Sequence, residues 1–322
     1  MQDLEARLRS ASWRPARDAN RSFVRHAHPH PSPALVWREA TAGGSLDLSV
    51  VIPTLDAERG GYFLQLLRQI SAQRSRAYEL IVVHGDHRQG RAINVGAALA
   101  RGRCLLTLDD DTSLPFPDTF DKLLSVMDGH PDIGIAGGNN VVPLDAAPFV
   151  QRAMREIPRR SWAPVSVITD SDLAEHPCMV MRTAEFRLVG GENELIPRGL
   201  DPYLRQTFRE AGKRVVVVPG VTYHHLPPES WWRLMKQYFR NGRQAAFVNR
   251  WYPQWVIETP GEHGSFAGQV PFPKRILRYL TDLSRAGVAG RWIWFSCQVW
   301  YAAGFAAGWL LDGSNREAVG GR

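Results

Sequence analysis

From residue 48 onward, short unbroken apolar runs alternate with stretches of helical periodicity. Residues 48–52 (LSVVI) form one such run, closed by Pro53, and predict a strand buried on both faces. Phe63, Leu66, Leu67 and Ile70 then recur at helical spacing. Residues 79–83 predict a second buried strand and 92–100 a helix of small residues. A third strand over 105–108, a helix over 120–127 and a fourth strand over 133–136 continue the alternation. Buried strands separated by helices imply a mainly parallel sheet covered on both sides, an α/β fold. Ligands of such sheets sit beyond the carboxyl ends of the strands, where Asp56, Asp86 and Asp109 to Asp111 fall.

The flanks are less regular. Residues 1–45 are rich in Arg, Pro and Ala, with a short helical pattern at Leu4 and Leu8, and predict a basic extension with weak structure of its own. Within it HAHPHPSP spaces His26, His28 and His30 alternately; the flanking prolines and the lack of an acidic partner favour a solvated loop over a metal site. In the second half 179–181 and 215–218 predict strands and 203–211 a helix, before the aromatic, basic stretch SWWRLMKQYFRNGR at 230–243. The chain divides on this reading into the extension, a catalytic domain over 46–228 and a helical, membrane-associated region over 229–322.

The tail bears on location. Residues 292–311 (WIWFSCQVWYAAGFAAGWLL) carry no formal charge over about the length a helix needs to cross a bilayer. Gly304 and Gly308 add a GxxxG helix-packing signal, and Lys274, Arg275, Arg278, Arg285 and Arg291 precede it. A spanning helix, an in-plane interfacial helix and a buried core helix all fit, and membrane contact is the expectation. The N-terminus lacks the apolar run of a secretory signal. Cys104, Cys178 and Cys297 are scattered without CxxC spacing, as in reduced cytosolic proteins. Together these place the catalytic part at the cytoplasmic face of the cell membrane.

Composition adds little to the fold and something to the ligand. Hydrophobic residues make up 44% and charged residues 22%, ordinary values for a globular chain. The net charge is +7, and the only lysines are Lys122, Lys213, Lys236 and Lys274. Arginine pairs bidentately with phosphates and carboxylates, which suits anionic ligands. Nucleic acid is not expected, because the basic residues are dispersed and no recognition module is visible.

The chemistry concentrates in LLTLDDDTSL at 105–114. A buried strand ending in Asp109, Asp110 and Asp111 crowds three carboxylates at the edge of a core, where mutual repulsion and desolvation disfavour their ionised forms. A hard divalent cation, Mg2+ or Mn2+, relieves both and shares its oxygen ligands with substrate phosphates.

The order of these pieces is distinctive. A strand ends in Pro53-Thr54 with Asp56 and Glu58 close behind, a second ends in VVHGD, and GRAINVGAALARG leads directly into LLTLDDD. Over about residues 47–245 the chain resembles the inverting family-2 glycosyltransferases of GT-A fold, the RxxNxGxxxAxG pattern (Arg91, Asn94, Gly96, Ala100, Gly102) before an acidic triplet being the specific part. The resemblance implies a GT-A nucleotide-diphospho-sugar transferase fold with a Rossmann-like, mainly parallel mixed sheet, and C-terminal interfacial or transmembrane helices. It implies that Thr54, Asp56, Glu58, Asp86, Arg91 and Asn94 line the nucleotide site. His84-Gly85-Asp86 stands where two adjacent aspartates are common. The DxD motif maps onto Asp109 and Asp111, with Asp111 the direct metal ligand and Asp109 or Asp110 nearer the ribose.

Further along, RGLDPYLRQTFREAGKRVVVVPGVTYHH is similar to the family's acceptor-side segment. Asp201 falls on the position of the catalytic base, while Leu200 replaces the first member of the usual acidic pair; Glu192 and Glu194 are substitute carboxylates, and an N-cap is the plainer role for Asp201. His224, or the adjacent His225, matches the late histidine that completes the metal site. Gln237 to Arg240 resembles the QxxRW element with Asn241 in place of tryptophan, which argues against a processive synthase and leaves Arg240 for the donor diphosphate. The implied activity is metal-dependent sugar transfer from a nucleotide-sugar to a hydroxyl of a glycan or lipid-linked acceptor. Two rivals are a nucleotide-sugar-binding protein with a decayed site and a haloacid-dehalogenase-like phosphatase. The phosphatase motif belongs on a first strand and wants Thr where Ser113 stands.

Overall fold

The structure is a computed structural model and describes residues 4–41, 44–74 and 77–311. In chain order its main elements are α1 (Leu4–Arg9), β1 (Arg14–Pro15), β2 (Leu35–Ala40), β3 (Leu48–Thr54), α2 (Tyr62–Ser71), β4 (Tyr78–His84), α3 (Gln89–Leu99) and β5 (Cys104–Thr107). Then follow β6 (Thr112–Ser113), α4 (Thr119–Gly129), β7 (Ile133–Asn140), α5 (Pro148–Glu156), β8 (Thr169–Asp170), β9 (Met179–Arg182) and α6 (Thr183–Leu188). The chain continues through α7 (Leu200–Glu210), β10 (Arg214–His225), α8 (Trp231–Trp251), α9 (Phe272–Val288) and α10 (Trp292–Leu311).

One mixed sheet runs in the order β1-β2-β4-β3-β5-β9-β7-β10-β6, with β8 alongside β10. Strands β4, β3, β5, β7 and β10 share one direction, and β9 is inserted antiparallel between β5 and β7. Successive residues of a strand face opposite sides, so each buried strand feeds two cores. Val50, Ile52, Leu80, Val82 and Leu106 pack against α2 and α4 through Phe63, Leu66, Leu67, Ile70, Phe120 and Leu124. Val51, Ile81, Val83 and Leu105 pack on the other side with Ala92, Ile93, Val95, Phe186, Leu204 and Phe208. The glycines of the RxxNxGxxxAxG pattern permit this closeness. A Cβ on Gly96 would collide with the Val51 side chain, and one on Gly102 with the backbone of Leu48 and Ser49.

Residues 4–40 are more structured than their composition predicts. Leu4 and Leu8 of α1 are buried in the first core. Strand β2 pairs antiparallel with β4 from Leu35↔His84 to Ala40↔Glu79 and covers an edge that would otherwise be open. The intervening segment crosses to the α6–α7 side, where Arg25 N donates to Gly190 O (3.0 Å) and Glu194 N to His26 O (3.0 Å). His26 packs on Trp255 with ring centroids 4.5 Å apart.

At the other end α8 and α10 pack lengthwise. Gly304 lies against the Phe239 carbonyl and Gly242 against that of Tyr301, each too close for any Cβ. The GxxxG pair is thus used within the chain. Among the described residues no helix is long and apolar enough to cross a membrane, which overturns the spanning-helix expectation for 292–311. Tryptophans, glycines and Gln298 lower the hydropathy of α10, and α8 covers one of its sides.

Candidate metal and transfer site

Leu108 buries the end of β5 and the chain then turns through Asp109 to Asp111 into β6. Strand β6 pairs antiparallel with the end of β10, placing His225 opposite Thr112 and His224 opposite Ser113. That register brings His225 to the acidic turn. Its Nε2 is 3.2 Å from Asp111 Oδ1 and 3.9 Å from Asp109 Oδ2. Ligand atoms of Asp109, Asp111 and His225 all lie within 4.8 Å of one another. Alternation along β10 turns His224 away, its Nδ1 2.7 Å from the Val141 carbonyl. The histidine grouped with the two aspartates is therefore His225, not His224.

A tight turn after β3 supplies the counter-charge. Asp56 Oδ1 accepts from the backbone N–H of Glu58 (3.0 Å) and of Arg59 (2.9 Å). Ala57 and Arg59 both adopt positive φ, 55° and 47°, a conformation that costs energy and concentrates at functional loops. The turn throws the Arg59 guanidinium back onto Asp111, with Nη2–Oδ2 2.8 Å, and within 3.4 Å of Asp110. Asp56 thus shapes the loop, and Glu58 is exposed on it. Thr54 Oγ1 donates to Asp110 Oδ2 at 2.7 Å and accepts from Ala57 N at 3.0 Å. Gln89, at the start of α3, donates to Asp109 Oδ1 at 2.8 Å.

The three carboxylates are electrostatically unequal. Burial pushes Asp109 up to about 7 despite His225 nearby, and Asp110 up to about 6 despite its bond from Thr54. Burial also acts on Asp111, but the charges of His225 and Arg59 outweigh it and hold that group well below the usual carboxylate range. His225 is raised: burial opposes its charge, and Asp111 and Asp109 overcome burial. Two carboxylates and an imidazole, with one carboxyl short of positive charge, suit a divalent cation that takes mixed oxygen and nitrogen ligands.

A second buried group stands beside the first. His176 lies between Glu192 and Asp201, with Nε2–Oε1 2.7 Å and Nδ1–Oδ1 2.6 Å. Asp201 Oδ1 also accepts from the His176 backbone N–H at 2.7 Å. Burial disfavours the imidazolium, but Asp201 and Glu192 hold His176 protonated well above its ordinary range. The same charge keeps Asp201 strongly ionised against burial. Glu192 has no solvent exposure, whereas the Asp201 side chain remains 30% exposed. Asp109 feels the charges of both His176 and Asp201, so the two groups are within electrostatic reach.

Other residues expected at the nucleotide are bound within the chain. Asp86 accepts two bonds from Arg91 (2.8 and 2.9 Å), one from Ser32 Oγ (2.6 Å) and one from Arg88 N (2.9 Å). Asn94 donates to the Glu192 carbonyl (2.9 Å) and to Glu194 Oε1 (3.0 Å), and accepts from Glu192 N (2.9 Å). Glu194 also pairs with Arg21 and accepts from His28 N, so it anchors the N-terminal segment. Arg240, on α8, stands at the surface, where partial burial and the charges of Arg59 and Arg198 disfavour its own charge. Sequence reasoning missed Arg59, Gln89 and His176. Arg59 and His176 each open a single 3-10 turn too short to show periodicity, and Gln89 opens α3 outside the RxxNxGxxxAxG pattern.

No protein-family model matches the sequence, and no curated protein does. Solved structures do match. The chain shares its fold with the mannosyltransferase PcManGT from Pyrobaculum calidifontis, solved in complex with GDP-Man and Mn2+. That likeness has a TM-score of 0.52 at 14% identity and covers 88% of this chain and 92% of the other. S. aureus TarS in complex with UDP-GlcNAc aligns with a TM-score of 0.45 at 16% identity over 63% of this chain and 67% of its own. At this level of identity the likeness to PcManGT shows a shared fold.

Proposed function

We propose that this protein is an inverting glycosyltransferase of the family-2 kind, moving a sugar from a nucleotide-diphosphate donor to an acceptor hydroxyl. The observation that carries the reading is the convergence of Asp109, Asp111 and His225 beyond the carboxyl end of β5. A neighbour of the same fold that binds GDP-Man and Mn2+ supports a nucleotide-sugar donor and a divalent cation.

Asp109, Asp111 and His225 would hold Mg2+ or Mn2+, which when bound neutralises charge on the departing diphosphate. The chain's own groups do the rest. Thr54 fixes Asp110, and Arg240 pairs with the diphosphate from the α8 side. Asp201 takes the proton from the acceptor hydroxyl as its oxygen bonds to the anomeric carbon and the bond from that carbon to the diphosphate oxygen breaks. His176 holds Asp201 oriented and ionised, a positioning role, with Glu192 behind it as the second carboxylate that Leu200 does not supply. The acceptor on this reading is a glycan or lipid-linked hydroxyl at the cytoplasmic membrane face.

The test is a panel of nucleotide-sugars with Mn2+ or Mg2+, scored for release of free nucleoside diphosphate and for donor-dependent thermal stabilisation. One donor class is expected to respond, and only with the cation. Phosphate release from simple phosphomonoesters without any response to nucleotide-sugars would overturn the proposal.

A further inference from the structure

Helix α9 is amphipathic and only half used. At about 100° per residue, Phe272, Ile276, Leu277, Tyr279, Leu280 and Leu283 share one broad arc. Its inner edge packs on α10: Ala286 is buried, and Tyr279 Oη donates to the Gln298 carbonyl at 2.7 Å. Its outer edge is left largely exposed by the described residues. Leu277 is 66% exposed, Leu280 53% and Ile276 45%. Large apolar side chains grouped on a single exposed helix edge mark a docking surface more than a random surface composition.

The polar arc says what docks there. Lys274, Arg275, Arg278 and Arg285 stand against Asp282 alone, giving α9 a net charge of +3 (four basic, one acidic), and Arg291 follows at the turn. Arg278 is partly neutralised by Glu258 at 2.6 Å, and Arg275 lies over the Phe272 ring, but Lys274, Arg285 and Arg291 are exposed. An apolar edge bordered by cations matches an anionic lipid surface, in which leucines enter the acyl boundary while basic side chains stay among the headgroups. Helix α10 adds an exposed, uncharged stripe at Trp292, Val299, Ala303, Ala306 and Leu310.

We propose that the outer edge of α9 docks the protein in the plane of an anionic bilayer without spanning it. The docking stands independently of the transferase reading, since it depends on neither the metal group nor Asp201. Helix α10 ties α9 to α8.

The experiment is co-sedimentation of the full chain with phosphatidylcholine vesicles and with vesicles containing an equal share of phosphatidylglycerol. Binding to the anionic vesicles is expected, weakening as salt rises. Leu277→Glu with Leu280→Glu should abolish it, and Lys274→Gln with Arg285→Gln should weaken it about thirtyfold, with the melting temperature unchanged because all four side chains are exposed. Equal binding to both vesicle types, or none to either, overturns the proposal. So does a dimer in light scattering that the leucine variant splits while the native chain ignores vesicles; the edge would then belong to a second copy.

Discussion

Replacing His225 separates the metal reading from a merely structural acidic turn. Any ligand that binds the folded state alone stabilises it by RT ln(1 + [L]/Kd), about 2.7 kcal/mol at a hundredfold excess over Kd. Unfolding entropy near the melting temperature is about 2.1 cal/mol/K per residue. For 322 residues that is about 0.7 kcal/mol/K, so saturating Mn2+ should raise the native melting temperature by about 4 °C. His225→Ala removes one of three grouped ligands and should weaken binding about a hundredfold. At the same Mn2+ concentration the remaining stabilisation is then about 0.4 kcal/mol, a shift of about 0.6 °C. His224→Ala is the internal control. Its ring bonds the Val141 carbonyl on the opposite side of β10, so the full shift should survive. Differential scanning fluorimetry with a Mn2+ titration reads both variants. If the two lose the shift equally, or if His225→Ala keeps it, Asp109 and Asp111 do not hold a cation with His225.

Asp201→Asn keeps the hydrogen-bond geometry and removes the base; turnover should fall about 10²- to 10⁴-fold while the Mn2+ and donor melting shifts persist, and turnover within a factor of two of native would refute the role. Gly304→Ala forces apart α8 and α10 where a Cβ meets the Phe239 carbonyl; urea unfolding should show a loss of about 1–3 kcal/mol, and an unchanged midpoint would mean the helices pack differently. Glu79 is fully buried, and although burial alone would raise it, bonds from Ser49, Arg101 N and Arg38 hold it below its ordinary value. A depressed folded-state value means stability that is present above about pH 4.5 and lost as pH falls through the folded value. The Glu79→Gln variant should therefore show a stability deficit at pH 7 that narrows in acid, and a deficit constant with pH would show that charge is not what Glu79 contributes.

The central strands were legible because burial on both faces writes itself as an unbroken apolar run, as at Leu48–Thr54 and Tyr78–His84. Strand β2 was not, since its edge position needs no such run; Trp37 and Val36 are buried while Leu35 is exposed. The antiparallel insertion of β9 depends on two partners distant in sequence, which no local pattern encodes. At the site, the acidic triplet was visible as composition at a strand end. The choice between His224 and His225 was not, because it turns on one residue of register in the β6–β10 ladder. Asp86, Arg91 and Asn94 came from the resemblance; the bonds that fix them, Asp86 to Arg91 and Ser32 and Asn94 to the 192–194 segment, join partners that no local pattern pairs.

The placement of β6 opposite the tail of β10 has a temporal consequence. During synthesis the acidic turn emerges well before the histidine that meets it, and the sheet between them stays incomplete until β9 slots between β5 and β7. A ribosome-bound chain halted before residue 225 therefore carries a turn of like charges that still lacks its histidine partner. If the proposed cation binds there, its capture is a late event of maturation, coincident with closure of the last ladder.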